Sequence, residues 1–253
     1  TSWGSTMDAM ILAAGQGTRL RPITEHTPKA LVRVGGVPML ERIALRLVEA
    51  GVDRLVVNVH HHADQVRSFI EEKDGFGVEV RISEEQPEAL ETGGGLLHAR
   101  EHFRLDRPFL LHNVDVICGT DLAALYEAQR GSDALATLAV SDRPSSRVLR
   151  FDDRGLQARV HRRDGTVEAA RPAEGETRDV AFAGIHALSP AFFDLVEERG
   201  AFSILTPYLR LAGAGHRIAP LDIGRDLWLE VGDPERLERA RRFLRRGNGG
   251  GEE

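Results

Sequence analysis

A glycine loop flanked by cations is the part of the sequence best suited to chemistry. Residues Leu12–Thr24 read Leu-Ala-Ala-Gly-Gln-Gly-Thr-Arg-Leu-Arg-Pro-Ile-Thr, directly after an apolar run, and Pro28–Leu31 follow as Pro-Lys-Ala-Leu. Glycines let the backbone approach a phosphate closely, with N–H groups pointing at it. Arg19, Arg21 and Lys29 can then hold the charge of a polyphosphate. These residues predict a site that binds a nucleoside triphosphate and transfers part of it.

Three phosphate-binding designs use a glycine loop of this kind. A dinucleotide-binding fingerprint requires a third glycine where this loop has Leu20 or Arg21. A P-loop requires Gly-Lys-Ser/Thr, whereas this loop reads Gly17-Thr18-Arg19. The third pattern, Leu-x-Ala-Gly-x-Gly-Thr-Arg-Leu-x-Pro-x-Thr followed by Pro-Lys, fits. On these residues the chain resembles the sugar-1-phosphate nucleotidylyltransferases, the enzymes that make nucleotide sugars.

The resemblance covers nearly the whole chain and implies which residues bind the nucleotide. Ser83–Gln86 and Leu90–Gly95 resemble the segment that reads the nucleobase, and Glu-Thr-Gly-Gly-Gly is closest to the N-acetylmuramate-1-phosphate uridylyltransferases and mannose-1-phosphate guanylyltransferase-like proteins. A glycine-rich helix entry offers free backbone N–H and C=O groups to a base edge. The nucleotide-binding residues implied are Ala13, Ala14, Gly15, Gly17, Thr18, Glu85, Thr92 and Gly93.

The resemblance also implies two carboxylate ligands for Mg²⁺. Asp115 follows the apolar run Phe109–His112, and open α/β sheets bind ligands at the C-terminal ends of their strands. Val114 stands where the family has glycine. Trp228–Glu235 resembles a Trp-x-Asp-Val-Gly-Thr-Pro motif, with Glu230 in place of the metal-binding aspartate. The additional methylene shifts the carboxylate oxygens by about a bond length, and Mg²⁺ tolerates little misplacement.

The reaction implied is attack of a sugar 1-phosphate oxygen on the α-phosphorus of a nucleoside triphosphate, foremost UTP or GTP, with release of pyrophosphate. Such transfers depend on positioning and charge neutralisation. Arg19 is expected to neutralise the departing pyrophosphate. Lys29 is expected on the reacting α-phosphate or the sugar phosphate. Asn113 and Arg162 are expected to bind the sugar phosphate.

Two other functions remain open on the same fold. A cytidylyltransferase acting on phosphocholine would need clustered aromatic residues around the choline cation, and the region of the Ser141–Arg178 meander offers only Phe151 and Phe182, which disfavours this function. A non-catalytic regulator that binds nucleotide sugars would be expected to lose Arg19, Lys29 or Asp115, yet all three are present. Release of pyrophosphate separates the enzyme from the regulator.

Composition excludes several broad classes of protein. With 42% apolar residues the chain has a substantial core, and a net charge of −6 argues against general nucleic-acid binding. The single cysteine, Cys118, cannot form an internal disulfide, which favours a reducing compartment. No apolar run approaches the roughly 20 residues of a membrane span. We therefore expect a cytoplasmic monomer or homodimer without nucleic-acid or membrane partners.

The order of elements predicts an α/β fold. Alternating strand and helix patterns indicate a Rossmann-like, mixed, mostly parallel central sheet flanked by helices, and short strands after Ser141 indicate a small antiparallel insertion. The resemblance implies the nucleotide-diphospho-sugar transferase type. Residues 7–246 are expected to form a single domain with a nucleotide-binding half (7–140) and a sugar-phosphate-binding half (141–246). Residues 1–6 are interpreted as an expression remnant and residues 247–253 as a disordered tail.

Overall fold

A computed structural model describes residues 6–248 of the chain, with side chains up to residue 245. The helices are α1 (Met39–Glu49), α2 (Ala63–Glu72), α3 (Glu91–His98), α4 (Leu122–Arg130), α5 (Phe192–Leu195), α6 (Leu205–Gly213) and α7 (Pro234–Asn248). The strands are β1 (Asp8–Leu12), β2 (Arg33–Val34), β3 (Val37–Pro38), β4 (Arg54–Val59), β5 (Glu79–Glu84), β6 (Phe109–Asn113), β7 (Val116–Cys118), β8 (Ala136–Ser141), β9 (Arg147–Asp152), β10 (Gly155–His161), β11 (Thr166–Ala169), β12 (Arg178–Leu188), β13 (Ile218–Asp222) and β14 (Trp228–Glu230).

Hydrophobic spacing explains the helices that cover the sheet. In α1 the residues Leu40, Ile43, Ala44 and Leu47 recur at helical spacing, and each is at most 2% exposed. Burying each large aliphatic side chain contributes about 1.5–3 kcal/mol. The chain leaves the helix through Gly51, whose φ of 104° only glycine adopts readily. The sequence pattern predicts a strand at Arg54–Val59 and helices at Ala63–Glu72 and Leu122–Arg130, and β4, α2 and α4 have these bounds.

The described chain divides into two compact units that alternate along the sequence. The first unit contains residues 6–89, 112–119 and 227–248, and the second contains residues 90–111 and 120–226. In the first unit β1, β4 and β5 run parallel, with Met10 opposite Val56 and Val57 opposite Ile82. The short ribbons β2–β3 and β7–β14 are antiparallel.

The second unit holds the antiparallel part of the fold. Strands β9, β10 and β11 form a meander, β12 pairs with both β9 and β8, and β13 runs parallel to β8. Its core contains Tyr126, Phe192 and Tyr208, each at most 2% exposed. The predicted fold class is confirmed, namely a mixed, mostly parallel sheet flanked by helices with small antiparallel parts.

The loop that follows the meander is tethered by one buried carboxylate. The polar sequence from Arg171 to Arg178 predicts a mobile segment, but Asp152 accepts hydrogen bonds from both Nη atoms of Arg171, at 2.5 and 2.7 Å. Asp152 also accepts the backbone N–H groups of Glu174 (2.7 Å) and Arg154 (3.0 Å). The sequence missed this tether because its partners are 19 and 22 residues away from Asp152.

The predicted domain boundaries and termini remain predictions. The sequence predicts a single domain of residues 7–246 with two halves that meet at residue 140. The structure has the two interleaved units described above. Helix α7 continues to Asn248, two residues into the tail expected from residue 247. Residues 1–5, in the expected remnant, and residues 249–253 lie outside the described residues. None of the helices described here is long and apolar enough to cross a membrane.

Candidate functional site

The glycine loop leaves the end of β1 in the first unit. Ala13 and Ala14 are buried, whereas Gly15, Thr18 and Arg19 are exposed. The loop then turns through three short 3₁₀ segments, Thr18–Leu20, Ile23–Glu25 and Lys29–Leu31. Exposed backbone after a buried parallel strand is suited to anion binding.

Gly17 is required by the shape of the loop. Its φ is +64°, and a β-carbon at this position would lie 2.8 Å from the methyl carbon of Thr24. The Thr24 hydroxyl donates a 2.6 Å hydrogen bond to the Gly17 carbonyl, and Thr24 is only 1% exposed. Thr24 therefore holds the glycine turn in place through its buried hydroxyl group. The sequence motif did not reveal this role.

Lys29 connects the glycine loop to a carboxylate. Its Cβ lies 3.2 Å from the place of a β-carbon at Gly17, and its Cδ lies 4.0 Å from that of Gly15. At its end, Nζ donates a 2.6 Å hydrogen bond to Oδ2 of Asp115. The chain contains 33 lysines and arginines in total, and Lys29 is one of only two lysines among them. A compact ammonium group thus lies where the loop and Asp115 meet.

A small antiparallel ribbon brings the backbones of Asp115 and Glu230, the two predicted metal ligands, next to each other. Glu230 in β14 pairs with Val116 in β7, and the Val231 N–H donates a 2.9 Å hydrogen bond to the Asp115 carbonyl. Asp115 and Glu230 are therefore neighbours in the first unit although 115 positions separate them in sequence. Strand β7 is absent from the sequence prediction because it contains only three residues.

Each of these carboxylates forms an ion pair with a cationic side chain of the first unit. Asp115 pairs with Lys29, and Glu230 accepts a hydrogen bond from Nη1 of Arg236 at the start of α7. Both carboxylates are partly exposed, with 16% and 22% of their side chains accessible.

The donor set of these carboxylates fits Mg²⁺, which is usually held by one or two carboxylates together with substrate phosphates. Among the described residues, no group of three or more His, Cys, Asp or Glu side chains could hold a metal by itself. The run His60–His62 accordingly forms no such centre with its described neighbours.

A buried polar relay supports the start of the loop. Asn58 accepts the N–H of Ala13 at 2.7 Å and donates to Oε1 of Glu85 at 2.7 Å. Asn58 is 2% exposed and Glu85 is fully buried. His60 also contacts the Glu85 carbonyl oxygen, at 2.9 Å. In this structure the Glu85 carboxylate faces Asn58 inside the protein, and its assignment to nucleotide binding stays a prediction.

His112 is a buried neutral base two residues before the turn to Asp115. It is 2% exposed, and burial lowers its pKa to about 4, with the positive charge of Arg46 lowering it further and Asp115 opposing the shift. Its Nδ1 lies 2.8 Å from the Asn113 carbonyl oxygen. Since a carbonyl only accepts, the neutral ring carries its proton on Nδ1. His112 therefore fixes the backbone at Asn113, one of the predicted sugar-phosphate residues.

The glycines of α3 in the second unit serve close packing. The N–H groups of Gly93 and Gly94 donate to the Phe202 carbonyl at 2.9 and 3.3 Å, and a β-carbon on Gly93 would lie 2.3 Å from the Phe202 ring. The expectation of free N–H groups is therefore wrong at these two glycines. Thr92 lies inside the helix and accepts the Ile204 N–H at 2.9 Å. Assignment of Thr92 and Gly93 to the nucleotide stays a prediction.

Arg162 also lies in the second unit, exposed in the turn between β10 and β11. The pKa of Asp179 is lowered mainly by its hydrogen bonds from Arg150, with a smaller contribution from the charge of Arg162. Arg162 therefore has a structural neighbour in its own unit, and its contact with a sugar phosphate stays a prediction.

Comparison with known proteins gives one consistent result. The family described as nucleotidyl transferase matches residues 8–247. An N-acetylmuramate alpha-1-phosphate uridylyltransferase from Caulobacter vibrioides is 35% identical over 241 residues, covering 90% of this chain and 92% of the relative. A mannose-1-phosphate guanyltransferase from Yarrowia lipolytica is 30% identical over 90% of this chain and 61% of the relative. A UTP-bound UGPase structure from Acinetobacter baumannii superposes with a TM-score of 0.74 at 19% identity, covering 95% of this chain and 93% of that chain.

Proposed function

The chain belongs to the nucleotidyl transferase family, and on that premise we propose that it condenses a nucleoside triphosphate with a sugar 1-phosphate, giving a nucleotide sugar and pyrophosphate. The observation that carries the proposal is the 2.6 Å contact between Lys29 and Asp115 beside the glycine loop. It joins the glycine loop, a cation and a carboxylate in one unit. That combination serves the transfer of a phosphoryl-type group between two anions.

The cations of the loop would lower the repulsion between the two substrates. Arg19, exposed at the loop, would neutralise the departing pyrophosphate. Lys29 would hold the reacting α-phosphate or the sugar phosphate, because its side chain runs along Gly15 and Gly17. A phosphate monoester is already ionised near pH 7, so the attacking oxygen needs no general base. Catalysis then rests on orientation and on fixed charge.

Asp115 and Glu230 would hold Mg²⁺. Carboxylate oxygens are the ligands that this ion prefers, and the two residues are neighbours across the β7–β14 ribbon. When bound, the ion supplies charge neutralisation at the phosphates. Lys29 would leave Oδ2 of Asp115 for a phosphate oxygen as the substrates bind, since an ammonium group makes equally good charge-assisted bonds to either anion.

UTP and N-acetylmuramate α-1-phosphate are the first substrate pair to test. The relative that carries this activity in its name is 35% identical and is covered over 92% of its length. GTP with mannose 1-phosphate is the second pair, from the relative of 30% identity. A cytoplasmic location and a monomeric or homodimeric state remain predictions.

Pyrophosphate release tests the proposal directly. The purified chain is assayed with Mg²⁺ and a grid of four nucleoside triphosphates against several sugar 1-phosphates. We expect release with at least one pair and a loss of two to three orders of magnitude in Asp115→Asn, which keeps the size of the side chain. Arg154→Met, in an exposed ion pair of the second unit, serves as the matched control. Ligand binding without any pyrophosphate release would refute catalysis and favour a nucleotide-sugar regulator.

A further inference from the structure

Arg236 holds the carboxylate of Glu230 in a fixed position. Nη1 of Arg236 donates to Oε2 of Glu230, and Nε of Arg236 lies 3.2 Å from Oδ2 of Asp233. Asp233 also accepts the backbone N–H of Arg236 at 2.9 Å. The guanidinium group is therefore held by the acidic turn at the start of α7 and directed at Glu230. The structure thus places a permanent positive charge on a proposed metal ligand.

The other oxygen of Glu230 lies beside Gly232. Oε1 of Glu230 and Nη2 of Arg19 lie 2.8 and 3.1 Å from the position that a β-carbon would take at Gly232. Glycine at position 232 therefore leaves room for Oε1 of Glu230 and for the guanidinium group of Arg19. One oxygen of Glu230 is thus bound by Arg236, and its other oxygen borders the same glycine as Arg19, which we assign to the pyrophosphate.

We propose that Arg236 competes with the divalent cation for Glu230 and so sets the metal concentration at which the site fills. The inference rests on the proposed function, because it takes Glu230 as a metal ligand. A dication on Oε1 would lie within a few ångströms of the guanidinium charge, and the two cations repel. Side-chain exposure of 22% for Glu230 and 41% for Arg236 leaves this repulsion partly screened by water. We expect an effect of roughly three- to tenfold on metal affinity.

Mn²⁺ binding in the absence of substrates tests the inference. Free Mn²⁺ is measured by electron paramagnetic resonance during titration of the wild-type chain and of Arg236→Gln, Arg236→Lys and Arg239→Gln. Loss of the charge in Arg236→Gln should tighten binding roughly three- to tenfold. Arg236→Lys keeps a charge and should remain within about threefold of the wild type. Arg239 is exposed on the same helix, so its variant controls for net charge.

Two further measurements separate competition from a structural effect. The difference between the wild type and Arg236→Gln should shrink when KCl is raised from low to high concentration, because salt screens partly exposed charges. In a Glu230→Gln background the Arg236→Gln change should have no effect on Mn²⁺ binding, which is the double-mutant test of coupling. A packing effect would respond to neither change.

Each result decides the question. Unchanged or weaker Mn²⁺ binding in Arg236→Gln overturns the inference while leaving transferase activity untouched. Absence of Mn²⁺ binding in every variant, with pyrophosphate release intact, overturns the inference, because the substrate-free site then takes no metal for which Arg236 could compete, but it leaves the proposed transfer reaction standing. Tighter binding in Arg236→Gln without any pyrophosphate release supports the inference and contradicts only the proposed catalysis.

Discussion

Two carboxylate–cation pairs, one in each unit, consist of similar groups but differ in burial and in the number of their hydrogen bonds. In the first unit Lys29 makes one hydrogen bond to Asp115, and the side chains are 15% and 16% exposed. In the second unit Arg171 binds both oxygens of Asp152, whose side chain is fully buried. Two backbone N–H groups complete the contacts of Asp152. A carboxylate has about four acceptor positions, so Asp152 is saturated.

The two pairs differ in how many acceptor positions of the carboxylate are occupied by hydrogen bonds. Oδ2 of Asp115 is bonded to Lys29, and among the described residues Oδ1 has no hydrogen bond. A carboxylate of this kind can exchange partners when a ligand brings its own charge. The pKa of Asp152 is instead held well below its usual range, chiefly by the hydrogen bonds from Arg171. A saturated pair stabilises the fold, whereas an unsaturated pair is available for chemistry.

Removal of the lysine should give the largest effect, and it should fall on activity. In Lys29→Met we expect kcat/KM to fall about 10²–10³-fold, because the cation that we propose at the reacting phosphate is lost. The free energy of unfolding should change by no more than about 1 kcal/mol, since both partners retain solvent contact. Steady-state pyrophosphate release and urea unfolding measure the two quantities. Lys73→Met, which removes the other lysine and its pair with Glu41, is the control. Unaltered activity in Lys29→Met would contradict the distinction.

Removal of the arginine should give the opposite result. In Arg171→Met the buried Asp152 keeps only its backbone donors, and we expect a loss of about 3 kcal/mol in unfolding free energy. Activity per folded molecule should remain near that of the wild type. Urea unfolding at pH 7 provides the measurement. Arg154→Met breaks the exposed pair with Glu174 in the same loop and should cost less than about 1 kcal/mol. Equal losses in both variants would show that burial does not distinguish these pairs.

Mild acid should affect the stability of the two units differently, without a mutation in either carboxylate–cation pair. The folded-state pKa of His112, about 4, lies below its ordinary value of 6.5, so the unfolded chain binds more protons between these values. The contribution of His112 to stability is complete above pH 6.5 and is lost as the pH falls towards 4. From pH 7 to pH 5 the loss is about 2 kcal/mol. The lowered pKa of Asp152 leaves that pair ionised throughout this range.

Urea unfolding at pH 7 and pH 5 checks this assignment. His112→Asn, which keeps a donor near the Asn113 carbonyl, should lose about 2 kcal/mol of the pH dependence. Arg171→Met should keep the pH dependence of the wild type. An unchanged pH dependence in His112→Asn would assign the acid sensitivity to another group.

The smallest effect is expected from the support of the glycine loop. Thr24→Val keeps the volume of the side chain but leaves the Gly17 carbonyl without its hydroxyl donor, at a cost of about 1 kcal/mol. If the loop positions the triphosphate, the KM for the nucleotide should rise roughly fivefold while the KM for the sugar phosphate stays unchanged. Thr24→Ser retains the hydroxyl and should restore the wild-type value. Equal changes in both KM values would indicate a general loss of structure.

Local pattern was sufficient for much of the fold. The 3.6-residue spacing of α1 and the apolar runs of β1 and β4 are properties of short segments, and burial of those residues agrees with the pattern. A short strand and a tight turn are predicted at Val32–Gly36, and β2 lies there, whereas the short strands β3 and β7 carry no periodic signal. The sequence pattern predicts that Thr92 caps a helix, but its hydroxyl oxygen accepts the N–H of Ile204, a partner 112 positions away.

The features of the site also fall into two groups, those that local sequence predicts and those that only tertiary structure sets. The order of glycines and cations from Gly15 to Lys29 predicts a polyphosphate site after the first strand, because backbone geometry and charge are local properties. Tertiary structure alone decided that Asp115 meets Lys29, that Glu230 meets Arg236, and that Glu85 faces Asn58. Side-chain hydrogen bonds depend on distance and direction in space, and strand pairing sets both. Residue types can therefore name the groups of a site, whereas only the fold selects the partner of each one.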